Sequence, residues 1–119
     1  MLVLCALPVN GVLADDPLSL AAQCAAYWLG RNDVARRSAL LDEDANDPVR
    51  ADAYRAAAVR LNGGDAVAID AFIRQERTAM DRMVRAAIVG DPTSVALQDR
   101  LLRTCDEYAA TQAETRDLR

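Results

Sequence analysis

The chain has 119 residues, a length that suits a single domain built around one hydrophobic core. Glycine, proline and aromatic residues are few, which favours helices over the turn-rich pattern of an all-β domain. The net charge of −4 argues against a nucleic-acid partner, and the absence of histidine removes the commonest general base and metal ligand.

The chain begins with an apolar stretch, residues 2–14, that is too short to span a bilayer. Asp15 follows it directly, and Val12 and Ala14 stand at the third-to-last and last positions before a cut at that point. Small or modest side chains at these two positions are typical of signal-peptide cleavage sites. We therefore expect residues 1–14 to form a cleaved signal peptide.

This interpretation predicts a periplasmic or secreted protein whose mature chain is a single helical domain, residues 15–119. No arginine or lysine precedes the apolar stretch, which is unusual for a signal peptide. The alternative is a core helix of a cytosolic protein. Such a helix would contain Pro8 and Gly11, which cost about 3 and about 1 kcal/mol in a helix interior.

The first predicted helix covers about residues 18–31. Pro17 stands just inside its start, and Gly30 and Asn32 indicate its end. Residues 33–43 can continue this helix after a bend.

Aspartate–proline pairs indicate where two later helices begin. Asp47 is the expected N-cap of the second helix, which ends at residues 62–64, where an asparagine precedes two glycines. Residues 65–89 contain no helix breaker and form the third helix. Asp91 caps the fourth helix, which extends to about Ala113. Four helices of this length predict an all-α, up-down-up-down four-helix bundle.

Cysteines Cys24 and Cys105 each lie at the centre of an apolar face, one on the first helix and one on the last. Because Cys5 leaves with the signal peptide, these two remain as an even pair in an exported protein. We expect them to form a disulfide, which closes a loop of roughly 80 residues and stabilises the fold by about 4 kcal/mol. The alternative is two buried free thiols that act as small apolar residues.

The usual metal and cofactor motifs are missing from the sequence. Haem attachment and structural zinc need clustered Cys and His, and di-iron bundles need Glu-x-x-His pairs. Residues 42–53 resemble a calcium loop in part, but Asp47 replaces the glycine of the sharp turn and Ala53 replaces the bidentate glutamate. We interpret this segment as a solvated acidic turn that caps the second helix, and we predict no metal site and no cofactor.

Glu76 is the one charged residue near the centre of the apolar face predicted for the third helix. A carboxylate there must be desolvated, paired or neutral. Arg31 and Arg60, which lie close to the apolar sides of their own helices, are the candidate partners. One interpretation is a ligand-contacting or general-acid carboxylate, and the other is a structural ion pair.

These observations favour a non-enzymatic binding or structural protein of the cell envelope, with a protein partner there and no integral membrane segment after signal removal. The first alternative is a periplasmic stress chaperone or protein inhibitor. The second is a hydrolase that uses carboxylates alone, as glycosidases do, although a chain this short offers no evident second layer to form a cleft.

Overall fold

The computed structural model describes residues 17–118, and the predicted signal peptide, residues 1–14, lies outside this range. The described part of the chain contains four α-helices and no strand, which confirms the all-α class. The helices are α1 Pro17–Arg37, α2 Asn46–Leu61, α3 Ala66–Ile88 and α4 Pro92–Ala109, and a short 3-10 helix, Arg116–Leu118, follows α4.

Helix α1 continues past Gly30, so the prediction that it ends near residue 31 was wrong. Gly30 is buried where α1 crosses α3. A Cβ atom on Gly30 would lie 2.8 Å from the Cβ of Met80 and 2.9 Å from the backbone nitrogen of Asp81. The glycine therefore serves a close approach between two helices and does not end one.

Helix α2 begins one residue before the predicted N-cap, so Asp47 lies in its first turn. The residue in the N-cap position is Ala45, which makes no side-chain capping bond. The carboxylate of Asp44 accepts a hydrogen bond of 2.9 Å from the backbone N–H of Asn46 and so stabilises the turn that leads into the helix. The prediction of Asp47 as the cap was wrong, and its side chain has another role.

Helices α3 and α4 begin with conventional aspartate caps. Asp65 accepts a hydrogen bond of 3.0 Å from the backbone N–H of Val67, and Asp91 accepts one of 3.0 Å from Ser94. Each carboxylate satisfies a backbone donor that has no partner inside its helix. The Asp91 cap is as predicted.

Helix α4 ends at Ala109, four residues before the predicted end. The chain then turns, and the hydroxyl of Thr115, which is fully buried, donates a hydrogen bond of 2.8 Å to the carbonyl oxygen of Ala109. This bond satisfies one carbonyl at the helix end, so the segment after α4 packs back onto the domain.

Helix α1 is central, because it packs extensively against α2 and against α3 and also contacts α4. Helices α2 and α3, by contrast, make few contacts with each other. Its buried surface is rich in alanine, whose small side chain permits short distances between helix axes. The core residues of α1 are Ala21, Ala22, Cys24, Ala25, Ala26, Tyr27 and Val34.

Candidate functional site

A disulfide between Cys24 and Cys105 connects α1 with α4 through the core. The two Cα atoms are 5.9 Å apart, and both residues are fully buried. The hydroxyl of Tyr54 on α2 donates a buried hydrogen bond of 2.7 Å to the carbonyl oxygen of Cys105. Three helices thus meet at the disulfide that the sequence predicted.

The carboxylate of Asp47 is completely buried between α1 and α2. It accepts a hydrogen bond of 2.7 Å from Nη1 of Arg31 and one of 3.1 Å from Nη1 of Arg50. A buried charge is tolerated only when it is paired, and here two guanidinium groups pair it. The prediction of a solvated acidic turn was therefore wrong for Asp47, and Arg31 takes part in a structural ion pair with it.

Trp28 lies beside this ion pair. The guanidinium carbon of Arg50 is 4.7 Å from the centroid of the Trp28 ring, a cation–π contact. On another side the Tyr27 ring packs edge-on against the indole, with the ring centroids 4.9 Å apart. The indole nitrogen Nε1 is buried but has no hydrogen-bond partner among residues 17–118. An unsatisfied buried donor of this kind requires an explanation, such as a bound water or ligand.

A cleft of about 250 Å³ opens next to Trp28, between α1, α2, α4 and the C-terminal 3-10 helix. The disulfide residue Cys105 contributes to its wall. The other side chains that line it and matter for its chemistry are Trp28, Arg50, Tyr54, Leu102, Asp106 and Leu118. The cleft combines aromatic and aliphatic surface with one cation and one carboxylate.

The hydroxyl of Tyr54 stays protonated at neutral pH. Burial, with a smaller contribution from the negative charge of Asp106, raises the pKa of its hydroxyl to about 12. The group is therefore protonated and keeps its hydrogen bond to the carbonyl of Cys105.

The structure does not bring the three predicted site residues together. Glu76 is half-buried on α3 and forms no hydrogen bond or ion pair with the residues that the structure describes. Arg60 is exposed near the end of α2, where its Nε lies 2.6 Å from a carboxylate oxygen of Glu114. Arg31 pairs with Asp47 instead. Glu76 thus has neither of the arginine partners proposed for it.

A second buried carboxylate, Asp81 on α3, was missed by the sequence analysis. It pairs with Arg37 of α1 and, at 2.6 Å, with Arg85 one turn further along α3. The spacing of Asp81 and Arg85 is typical of an ion pair on a helix surface, and this was the available signal. Nothing in the local sequence shows that Asp81 faces α1.

The described residues contain no group of three or more His, Cys, Asp or Glu side chains placed to hold a metal ion. None of the helices α1 to α4 combines the length and the apolar character needed to cross a membrane. Comparisons with protein-family models, with curated proteins and with solved structures found no match for this chain. Its function is therefore inferred from the chemistry of its own residues.

Proposed function

We propose that this protein is exported to the periplasm or secreted, and that it is a non-enzymatic binding protein whose ligand site is the cleft beside Trp28. The observation that carries the proposal is the buried disulfide Cys24–Cys105, of which Cys105 lines that cleft. Structural disulfides persist in oxidising compartments and are rare in the cytosol. The apolar residues 2–14 are typical of the signal peptide that export requires.

The carboxyl groups support a role in binding over one in catalysis. Hydrogen bonds lower the pKa values of Asp44, Asp70, Asp91 and Glu114, with arginine, serine or backbone groups as the donors. A hydrolase that uses carboxylates alone needs one carboxyl group with a raised pKa as its general acid. These four groups have the opposite shift and serve in caps and ion pairs.

An up-down-up-down order of the helices is part of the proposal. Later residues of α1 meet earlier residues of α4, since Cys24 bonds to Cys105 and the Tyr27 hydroxyl donates a hydrogen bond to Gln98. This order supports antiparallel α1 and α4. The central position of α1 means that the bundle departs from a square cross-section.

The contacts between α1 and α3 indicate that these two helices run in the same direction. Asp33 pairs with Arg77, and Arg37, one turn later on α1, pairs with Asp81, one turn later on α3. Later residues of one helix meet later residues of the other, which supports parallel α1 and α3, as an up-down-up-down order requires.

Fractionation of a Gram-negative host that expresses the full chain tests the export and the disulfide that this proposal requires. We expect the protein in the periplasm, with an intact mass that shows loss of residues 1–14 and with no free thiol under denaturing, non-reducing conditions. The Cys24→Ser/Cys105→Ser variant is the matched control, because it should be exported and cleaved in the same way. Full-length, reduced protein confined to the cytosol would contradict the proposal.

A stress chaperone or inhibitor is the second candidate, and one observation favours it. A groove of about 600 Å³ between α1, α3 and α4 is lined mainly by apolar side chains, among them Leu20, Met80, Met83, Leu97 and Leu101. Flexible methionine-rich surfaces adapt to varied partners. A chaperone should bind a hydrophobic dye more strongly after an acid or reductive shift, whereas a rigid binding protein should show little change.

A further inference from the structure

We propose that the cleft beside Trp28 binds a small organic carboxylate, with the free edge of the Arg50 guanidinium as its hydrogen-bond donor. The proposal rests on the binding function proposed above and adds the chemical class of the ligand.

Arg50 uses only one of its nitrogen atoms to bind protein carboxylates. Its Nη1 atom is 3.2 Å from Asp44 and 3.1 Å from Asp47, while Nε and Nη2 have no acceptor within residues 17–118. The same Nε–Nη2 edge binds a carboxylate through two bonds elsewhere in this molecule. Arg55 holds Asp70 at 2.6 and 2.9 Å in this way, and Arg77 holds Asp33 at 2.6 and 2.7 Å.

The planar edge of a guanidinium group matches the two oxygens of a carboxylate in geometry and in charge. At Arg50 this edge belongs to a side chain that lines a cleft, so a ligand in the cleft can supply a carboxylate to it. The ring of Trp28, another lining residue, packs against the Arg50 guanidinium and gives the cleft an aromatic wall.

The remaining walls restrict the rest of the ligand. Tyr54, Leu102 and Leu118 offer aromatic and aliphatic surface, which favours an apolar body. The volume of about 250 Å³ is smaller than the roughly 300 to 1,000 Å³ of pockets for drug-sized ligands, so the molecule is small.

The chain contains a single tryptophan, and it lines the cleft, so intrinsic fluorescence reports directly on ligand binding. The oxidised protein is titrated with benzoate and with benzamide, its neutral counterpart of similar shape. We expect a saturable change in Trp28 emission with benzoate. Benzamide should bind at least about tenfold more weakly, the factor that one hydrogen bond to a charged group typically contributes.

Two conservative variants test Arg50 as the donor. Arg50→Lys keeps the positive charge that pairs with Asp47 but loses the planar edge, and should weaken benzoate binding at least about tenfold. Arg55→Lys, on the same helix but paired with Asp70, is the matched control and should bind like the parent protein.

Equal affinity for benzamide and benzoate would overturn the carboxylate class, and so would unchanged binding in a folded Arg50→Lys variant. If Arg50→Lys does not fold, the pair of probes decides the question. Absence of saturable binding of both probes would overturn the ligand site. None of these results affects export or disulfide formation, which the fractionation experiment tests separately.

Discussion

At the scale of single residues, the buried carboxylate of Asp47 has the largest consequences. It has no exposed side-chain surface and is paired with Arg31 from α1 and Arg50 from α2. Removing a carboxylate from such a site leaves two guanidinium groups without their shared counter-charge in a partly desolvated place. The same carboxylate holds Arg50 beside Trp28, so it also positions one wall of the proposed ligand site.

Substitution of Asp47 should therefore be destabilising. We expect Asp47→Ala to lower the free energy of unfolding by about 1 to 3 kcal/mol, because it leaves the half-buried Arg31 guanidinium unpaired and removes one of the two carboxylates that bind Arg50. Asp44→Ala is the matched control, since Asp44 also binds Arg50 but is far more exposed, and its loss should be much smaller. Urea unfolding followed by circular dichroism measures both variants. Equal effects would show that burial of Asp47 has no energetic importance.

Gly30 gives a second prediction at this scale. Gly30→Ala gains about 1 kcal/mol of helix propensity but forces a Cβ into the contact with Met80 and the α3 backbone, and overpacking of this kind costs about 1 to 3 kcal/mol. We expect a net loss of stability, measured as a lower melting temperature. Asn32→Ala, on the same helix and only half-buried, should not lose stability. A Gly30→Ala variant as stable as the parent would mean that α1 and α3 can separate slightly at no cost.

At the scale of elements, arginine–aspartate pairs connect α1 to α2, α1 to α3 and α2 to α3. Helices α2 and α3 make few contacts with each other, and the Arg55–Asp70 ion pair is one link between them. The hydrogen bond from Arg55 lowers the pKa of the Asp70 carboxyl group. A carboxyl group with a lowered pKa in the folded state stabilises that state only while it is ionised.

This linkage predicts how the Asp70 contribution depends on pH. It is fully present above the unfolded-state pKa of about 3.9 and is lost as the pH falls through the lower folded-state pKa. We expect Asp70→Asn to lower stability by at most about 1 kcal/mol at neutral pH, as is usual for an exposed pair, and by progressively less in acid. Denaturant unfolding across this pH range measures the difference.

Asp42→Asn is the control for the pH series, because Asp42 is exposed and lies in the loop before α2. Its effect should be small at every pH. If Asp70→Asn lowers the free energy of unfolding equally in acid and at neutral pH, the stabilisation by Asp70 does not come from its ion pair with Arg55.

At the scale of the whole molecule, the disulfide joins α1 to α4 across 81 residues of sequence. In the chain-entropy account, a loop of this length restricts the unfolded chain enough to stabilise the folded state by about 4 kcal/mol. Helices α3 and α4 have their own aspartate caps and the helices share an alanine-rich core, so we expect their formation not to depend on the bond. The disulfide therefore mainly adds stability to a fold that the other contacts already define.

Replacement of both cysteines tests whether the disulfide adds stability without being required for the fold. We expect Cys24→Ser/Cys105→Ser to lose about 2 to 5 kcal/mol of unfolding free energy and to keep a helical far-UV circular dichroism spectrum at low temperature. The double variant avoids the odd free thiol that a single substitution would leave. A variant without helical signal under native conditions would show that the bond is required for folding, and an unchanged stability would contradict the entropic account.

Local sequence signals predicted the features that depend on local chemistry. Asp91 caps α4 and the glycines after α2 end that helix, because a cap or a left-handed glycine acts within one turn of chain. Helical periodicity placed Cys24 and Cys105 on the core-facing sides of their helices, where the structure has them bonded to each other. The same reasoning was wrong at Gly30, because a glycine inside a helix and a glycine after one look alike in sequence.

The sequence by itself determined the helical class, three of the four helix starts to within one residue and the disulfide pair, since each depends on residue type and spacing. Only the tertiary structure decided which charges are buried. Whether Asp47 and Asp81 face solvent or a neighbouring helix depends on how α1 packs against α2 and α3. The cleft beside Trp28 arises in the same way, because its walls come from three helices and the C-terminal turn, which no local pattern brings together.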